Sequence, residues 1–461
     1  MRHMKHIKTG WLVRDKSFYR TLLMLALPIS LQNLITFAVN FADNVMVGTL
    51  GEVDISAVYM GRQVATVLQC LMVGVGATML VLIAQYWGKK ELDPIRTIVF
   101  IGLRISMILG VGFSLLSFVF APQILSVLTP DANVVKAGTP YLRITALSFF
   151  LFCVTQALLN ALRGVENAKF GMKLSFLTLV VNVAANCVLI FGKLGAPAMG
   201  ITGAALATLL ARIVECVVAV IYVFRYEKVM ALRLSGFSVR SPALLRDMIK
   251  CGIPLLTGEV VWATNTFFQS AIIGRYNEEV MAAFSITIML SNLIYVWATG
   301  LASAVGVITG KTVGSGEYEK MKQYAKTVQV MFVIVGLLSG LLILGIKGAF
   351  ISLYNVSDAT VACATTLMYV LAVVMVGTCY QMVGLAGLVK AGGDTKFVMI
   401  NDTIHIFGII IPSTLLCLHF GAPVWVVFAC LKCDQILKCF VAVVKINRFK
   451  WMKKLTRDSA S

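Results

Sequence analysis

Charged residues are scarce in this chain of 461 residues, of which Asp, Glu, Lys and Arg make up only 13% while hydrophobic residues make up 59%. Soluble globular domains carry about 25% charged residues. The shortage of charge therefore excludes a soluble globular protein of this length. Together with repeated long hydrophobic runs, it predicts an all-α membrane protein with many spans.

Signals for catalysis are also missing. No Walker A sequence occurs, so the chain cannot bind ATP through a P-loop. Only four histidines are present, and no His/Glu group has metal-ligand spacing. We therefore expect that the protein is not an enzyme and has no cofactor.

Acidic residues are few: the 21 Asp and Glu are outnumbered by 40 Lys and Arg, which gives a net charge of +19. The basic residues are scattered among short segments between hydrophobic runs, a pattern typical of cytoplasmic loops, so we expect no nucleic-acid partner. The eleven cysteines lie mostly inside apolar runs. Cys430 and Cys433 form a CxxC without a second pair, and we interpret all eleven as reduced packing residues.

Twelve hydrophobic runs predict twelve transmembrane helices. An even number places both termini on one side, and the loops on that side carry most of the Lys and Arg, so we expect both termini in the cytoplasm of a multi-pass cell-membrane protein. No cleavable signal pattern precedes the first run. The runs are 21–47, 57–86, 97–121, 137–162, 170–192, 200–224, 250–274, 281–312, 325–346, 360–389, 398–418 and 424–446.

The two halves of the chain repeat. An offset of 226 residues aligns Pro28 with Pro254 and Gly48 with Gly274 without a gap. Parallel repeats of six spans predict two lobes related by a pseudo-two-fold axis along the membrane normal. The predicted parts are a basic cytoplasmic tail (1–20), an N-terminal lobe (21–224), a cytoplasmic linker (225–249), a C-terminal lobe (250–446) and a second basic cytoplasmic tail (447–461).

The first span carries an acid and a polar stripe. At about 100° per residue, Gln32, Thr36, Asn40 and Asp43 share one face of the helix. A charge inside the membrane costs roughly 2.5–3.5 kcal/mol on insertion scales and usually faces a cavity or pathway. We predict that this face lines a substrate cavity, with an Asp satisfied by helix–helix hydrogen bonds as the alternative.

The seventh span has a similar stripe, formed by Glu259, Trp262 and Thr266. We predict that these residues line the same cavity. The alternative for Glu259 is a side chain that reaches the cytoplasmic interface from near the helix entrance.

Asn182 and Asn186 lie one turn apart on the fifth span. With Asp43 and with Thr208 of the sixth span, they would supply the oxygen ligands that a hard monovalent cation needs, so Na⁺ is one candidate for this set. Proton binding to Asp43 is equally compatible, because burial favours the neutral acid. The alternative for the amides is helix–helix adhesion.

Other charged residues inside predicted spans are interpreted mainly as structural. Arg212 and Glu215 are spaced to pair with each other, and Arg104 stands alone in the third span. Asp402 and His405 are spaced either as a structural pair or as a proton relay. Three further charges crowd the last span, which is compatible with a peripheral position of that helix: Lys432, Asp434 and Lys438.

Five segments together resemble the multidrug and toxic compound extrusion (MATE) transporters over nearly the whole chain. They are LPISLQNLITFAVNFADNVMVG in the first span, ALRGVENAKF after the fourth, VNVAANCVLIFG in the fifth, GITGAALAT in the sixth and VKAGGDTKF after the tenth. The resemblance implies export of organic cations and other amphiphiles in exchange for protons or sodium.

The resemblance also implies roles for particular residues. Asp43 matches the first-helix acid that is central to coupling, Asn182 and Thr208 match companions in the family's cation site, and Glu259 resembles the seventh-helix acid of NorM-type members. Two positions depart from the pattern: Asn186 stands where many members have Asp, and the tenth-helix acid is replaced near Thr378. The single remaining charge of the N-terminal cluster favours proton coupling, as in DinF-type members.

We therefore predict a secondary antiporter that exports drugs, toxic metabolites or other amphiphilic cations by alternating access, as a monomer in contact with membrane lipid. Asp43 would bind either the coupling ion or the substrate, and this exclusion would couple the two. The alternative is a flippase for lipids or lipid-linked saccharides. Such a protein needs several cationic residues in its cavity, for which only Arg104 and Arg212 are candidates.

Overall fold

The computed structural model describes residues 12–195, 197–239, 241–354 and 356–457, and this part of the chain is built from α-helices joined by short turns. The helices are α1 (Lys16–Val47), α2 (Glu52–Lys89), α3 (Leu92–Val119), α4 (Ala121–Leu128), α5 (Ala132–Gly164), α6 (Ala168–Leu189), α7 (Gly200–Ile221), α8 (Pro242–Ile273), α9 (Glu278–Gly314), α10 (Tyr318–Ile351), α11 (Asp358–Gln381), α12 (Thr395–His405), α13 (Ile411–His419), α14 (Val424–Lys432) and α15 (Asp434–Asn447).

Ten helices in the described ranges are long and apolar enough to cross a membrane, which confirms the predicted all-α membrane fold. The two other predicted spans fall on α8 and on the pair α14–α15. α8 carries a polar stripe that includes Glu259, and the last span is interrupted at Cys433 by a turn between α14 and α15.

The chain forms two compact units, whose bounds differ from those drawn from the sequence repeat. The N-unit consists of residues 28–263, and the C-unit consists of residues 264–461 together with the N-terminal segment up to Leu27. The boundaries fall inside helices: α1 contributes residues 16–27 to the C-unit and residues 28–47 to the N-unit. Likewise, α8 belongs to the N-unit up to Ala263. The bounds differ because the repeat is defined by the order of the helices along the chain, whereas the units are defined by which helices pack together.

Small residues allow close helix contacts in both units. In the N-unit, a Cβ added at Gly110 of α3 would lie 2.9 Å from Cα of Phe150 in α5. In the C-unit, a Cβ at Gly340 of α10 would lie 2.6 Å from the carbonyl oxygen of Ala372 in α11. Backbones that approach this closely gain van der Waals contact, which is the main packing force available between helices in lipid.

Two helices of the C-unit continue as π-helical segments. Residues 382–390 follow α11 directly, and residues 406–410 connect α12 to α13. Single π-helical turns are rare and occur frequently at functional sites.

The predicted C-terminal tail is docked on the C-unit over the residues that the structure describes. The Trp451 indole is fully buried and donates a hydrogen bond to the carbonyl of Ile446 at 2.9 Å. The Lys453 amide donates to the carbonyl of Gly392 at 2.7 Å. Gly392 leaves the space that the indole fills, because an added Cβ would lie 2.3 Å from the ring.

Asp394 anchors the same tail by charge. Its carboxylate lies 2.8 Å from the ammonium groups of both Lys445 and Lys453. Burial acts to raise the pKa of Asp394, but the hydrogen bonds and charges of the two lysines outweigh it and hold the pKa below its ordinary value. The VKAGGDTKF segment is thus a docking point for the tail.

Replacing Gly392 with Ala should displace Trp451 and destabilise the C-unit by about 1–3 kcal/mol, since overpacked sites cost that much. The measurement is the apparent melting temperature of the purified variant in detergent. Gly345→Ala is the control, because nothing lies within 4 Å of a Cβ added there in α10. Equal melting temperatures for the two variants would contradict the docking of Trp451.

Acidification should weaken the anchoring of the tail. An Asp with a depressed pKa in the folded state binds fewer protons than in the unfolded state, so its contribution to stability is present above the ordinary pKa of 3.8 and is lost as the pH falls through the lower folded value. We expect Asp394→Asn to lower the melting temperature at neutral pH, and the difference from wild type to vanish on acidification below that range. A difference that is independent of pH would show that the charge of Asp394 is not involved.

Candidate functional site

Asp43 is buried within the N-unit, near the end of α1, and both of its carboxylate oxygens have partners from the chain itself. The Asn186 amide of α6 donates to Oδ1 at 2.6 Å. The guanidinium of Arg62 in α2 lies 3.2 Å from Oδ2. The carboxylate is therefore already neutralised by a cation and satisfied by a neutral donor.

The two asparagines act as one unit, as their spacing predicts. The Nδ2 group of Asn186 lies between two acceptors, Asp43 and the side-chain oxygen of Asn182, which is 3.2 Å away. Both asparagines are almost fully buried, and Oδ1 of Asn186 accepts no hydrogen bond within the described residues. An aspartate at position 186 would add a second negative charge here, whereas the amide supplies a hydrogen.

Arg62 is the residue of this site that sequence reasoning does not find, because helical periodicity within one span does not show a partner on another span. It lies well inside α2 and also donates to the side chain of Asn44. Its charge also acts on the buried Tyr141 of α5. The signal was present in the sequence, since an arginine within a predicted span requires a partner.

A second ion pair lies on α7, where Arg212 donates to Glu215 at 2.6 Å and confirms the predicted pairing. The guanidinium also stacks over the Phe152 ring of α5, with 5.0 Å to its centroid. Its charge acts on Asp43 as well. The N-unit thus contains two ion pairs, Arg62–Asp43 and Arg212–Glu215, whose charges offset each other. The first pair joins two helices and is not visible in the sequence of either one.

Other predicted residues of the N-unit lie outside this network. Thr208 is half-buried on α7, and no hydrogen bond among the described residues joins it to Asp43. Gln32 is buried and accepts a hydrogen bond from Arg163 at 2.7 Å. Thr36 and Asn40 are exposed on the face of α1 that the periodicity indicated.

The predicted stripe of α8 is shared between the two units. Glu259 is half-buried in the N-unit and interacts electrostatically with Cys70 of α2. Trp262 belongs to the same unit and is 53% exposed. Thr266 belongs to the C-unit and is exposed.

The residues around Asp43 do not fit a sodium ion in this geometry. Arg62 places a positive charge on one carboxylate oxygen, and the amide hydrogens of Asn186 occupy the space between the other oxygen and Asn182. A hard cation prefers several converging oxygen ligands.

Arg62→Gln should lower the melting temperature, because it leaves the buried carboxylate of Asp43 without its counter-charge. We expect a loss of about 1–3 kcal/mol for this partly exposed pair. Arg62→Gln combined with Asp43→Asn should recover much of it, and the double-mutant cycle measures the interaction. The control is Arg143→Gln, whose exposed side chain donates to the backbone carbonyl of Phe118 and to no other described residue. Additive effects of the two substitutions would show that the pair contributes nothing.

Comparison with known proteins supports the repeat and the fold. The MatE family model matches residues 28–188 and 254–416, two ranges that begin 226 residues apart. The chain is similar to the probable multidrug resistance protein NorM of Neisseria meningitidis serogroup B, with 25% identity over 76% of each chain. It is also similar to the probable multidrug resistance protein YoeA of Bacillus subtilis, with 22% identity over 95% of each chain.

Solved structures show the same fold. A MOP superfamily transporter from Pyrococcus furiosus, described as having a binding pocket of reverse polarity, superposes with a TM-score of 0.85 at 20% identity, over 94% of this chain and 96% of that chain. An outward-facing multidrug resistance MATE family transporter gives a TM-score of 0.84 at 20% identity over the same shares. Because the family model covers well over half of the chain in two copies, this chain belongs to the MatE family, the MATE transporters.

Proposed function

We propose that this transporter is a proton-coupled antiporter that exports amphiphilic organic cations. The observation that carries the proposal is the position of Asp43, a membrane-embedded carboxylate held by one cation and one amide of the chain itself. Protonation of such a group removes its charge and its attraction for any cation. Proton and substrate therefore exclude each other, which is the requirement for exchange.

Arg62 competes with the proton and the substrate for the carboxylate of Asp43. Its guanidinium occupies Oδ2 of Asp43 while its other nitrogen donates to Asn44. An organic cation that binds Asp43 must displace this guanidinium, and the hydrogen bond to Asn44 would hold Arg62 nearby. Weak cations should then be excluded, because they cannot replace an arginine that hydrogen-bonds the carboxylate.

The rest of the proposed site is the polar stripe predicted from the sequence. Thr36 and Asn40 are exposed on α1, and Trp262 offers an aromatic face that suits a cationic amphiphile. Glu259 supplies a further acid in the N-unit. We further propose that the protein works as a monomer in the cell membrane, with both termini in the cytoplasm, as the distribution of Lys and Arg favours.

The two arginines that could bind phosphate in a flippase, Arg104 and Arg212, have other partners within the N-unit. Arg104 donates to the carbonyls of Phe237 and Val239, in the segment that precedes α8. Arg212 is paired with Glu215. Both side chains are used within the N-unit, so neither is free to hold a phosphate group.

The test is transport of a fluorescent organic cation such as ethidium into or out of proteoliposomes, with proton and sodium gradients imposed separately. We expect wild type to respond to the proton gradient, and Asp43→Asn to lower the rate by at least about tenfold, within the range of typical coupling energies. The matched control is Asp358→Asn, an exposed carboxylate in the first turn of α11.

Two outcomes would contradict the proposal. Transport that follows only the sodium gradient would show that Asp43 and its neighbours rearrange to bind sodium. Normal proton-driven transport by Asp43→Asn would show that this carboxylate is structural.

A further inference from the structure

A second network of charged side chains lies in the C-unit, away from Asp43. The ammonium of Lys438 on α15 lies 2.9 Å from Asp402 of α12 and 3.0 Å from Asp434 of α15. This corrects the predicted pairing of Asp402 with His405, whose ring nitrogen Nδ1 lies 2.8 Å from the Asn401 carbonyl oxygen instead. It also corrects the expectation that the last span is peripheral, since Asp434 and Lys438 are buried.

The network lies near the middle of the last span predicted from the sequence. α14 and α15 together run from Val424 to Asn447, and at 1.5 Å per residue Asp434 is about 15 Å from the first of these residues. The hydrocarbon core of a bilayer is about 30 Å thick. Charged groups at this depth are costly and mark ion or proton pathways in membrane proteins.

One carboxylate oxygen of the network is unused. The Asp434 side chain is only 3% exposed, and its Oδ2 is bonded to Lys438 and Gln435. Its Oδ1 is buried and has no hydrogen-bond partner among the described residues. Lys438 is shared between two carboxylates, so one of these negative charges lacks an ammonium group of its own.

The backbone is irregular where each of the three helices meets the network. The α14–α15 break at Cys433 immediately precedes Asp434. The π-helical segment 406–410 begins four residues after Asp402. Gln381, which donates to Gln435 at 2.8 Å, is the last residue of α11 before the π-helical segment 382–390. Interrupted helices at membrane depth are typical of ion-binding sites in transporters.

Other charged and titratable groups surround Asp434. Lys432 of α14 acts on it electrostatically, but its ammonium donates to the neutral amide of Gln269 in α8 at 2.8 Å. Other titratable groups on the helices packed against α15 are Lys396 and His405 of α12, Asp358, Cys363, Tyr369, Cys379 and Tyr380 of α11, Lys390 of segment 382–390, Cys430 of α14, Cys433 of the α14–α15 turn, and Cys439 and Lys445 of α15 itself.

We propose that Asp402, Asp434 and Lys438 form a second proton-binding site, which takes up one proton on Oδ1 of Asp434. The carboxylate then becomes a neutral carboxylic acid, and Lys438 keeps its charge and its pairing with Asp402. Lys438 fills the space between the two carboxylates, where sodium would need its ligands, so the chemistry favours a proton. The site goes beyond the proposed function, which needs only Asp43.

The test is infrared difference spectroscopy of the purified protein in lipid nanodiscs, between neutral and acidic buffers without sodium. Protonation of a buried carboxylate produces a carboxylic C=O band that shifts in heavy water, and thiols and amines give no such band. We expect Asp434→Asn to lose one such band, while Asp43→Asn and the exposed control Asp358→Asn keep it. Lys432→Met removes a positive charge near Asp434, so the band should appear at higher pH than in wild type.

Two results would overturn the inference. A band that persists unchanged in Asp434→Asn places the proton elsewhere. Loss of the band on adding sodium chloride, but not N-methylglucamine chloride, makes the site a sodium site. If Asp434→Asn is not monodisperse on gel filtration, Asp434→Glu replaces it, and this variant should shift the band rather than remove it.

The spectroscopic result does not depend on transport. If the proteoliposomes transport no cation while the band behaves as expected, the second site stands and the antiport proposal fails. If both hold, Asp434→Asn should reduce proton-driven transport by about fivefold or more, the lower end of typical coupling between sites.

Discussion

The low polarity of the membrane interior is the constraint on which this structure depends, because a charge placed there needs a polar or oppositely charged partner. The N-unit meets this requirement with Asp43–Arg62 and Arg212–Glu215, and the C-unit meets it with Lys438 between Asp402 and Asp434. Arg212 and Glu215 lie on the same helix, whereas Asp43–Arg62 and Lys438–Asp402 each join two helices. The ion pairs therefore also fix which helices are neighbours.

The pairing has a chemical consequence for Asp43. A lone acid in a membrane cavity attracts any cation of suitable size, whereas this acid is already bound to Arg62. Asn186 supplies an amide hydrogen at the position where many MATE transporters are expected to carry Asp. The charges of Asp43 and Arg62 consequently offset each other within the site.

Small residues serve helix packing in this structure, whereas irregular helical segments accompany its polar groups. Gly110 and Gly340 have no side chain, so the backbone of a neighbouring helix can approach closely at these positions. The π-helical segments and the break at Cys433 instead accompany the polar network of the C-unit. Where a helix loses its regular backbone hydrogen bonds inside a membrane, nearby polar groups must compensate for the loss.

The sequence by itself determined the all-α membrane fold, the internal repeat and the family, because hydropathy, loop charge and shared Pro and Gly positions are properties of the chain order. It also determined local pairs such as Arg212–Glu215 and Asn182–Asn186, whose partners are one helical turn apart. Only the tertiary structure decided that Arg62 neutralises Asp43 and that Asp402 binds Lys438 rather than His405. Those partners lie on different helices, and helical periodicity gives the direction of a side chain around its own axis but not which helix packs against it.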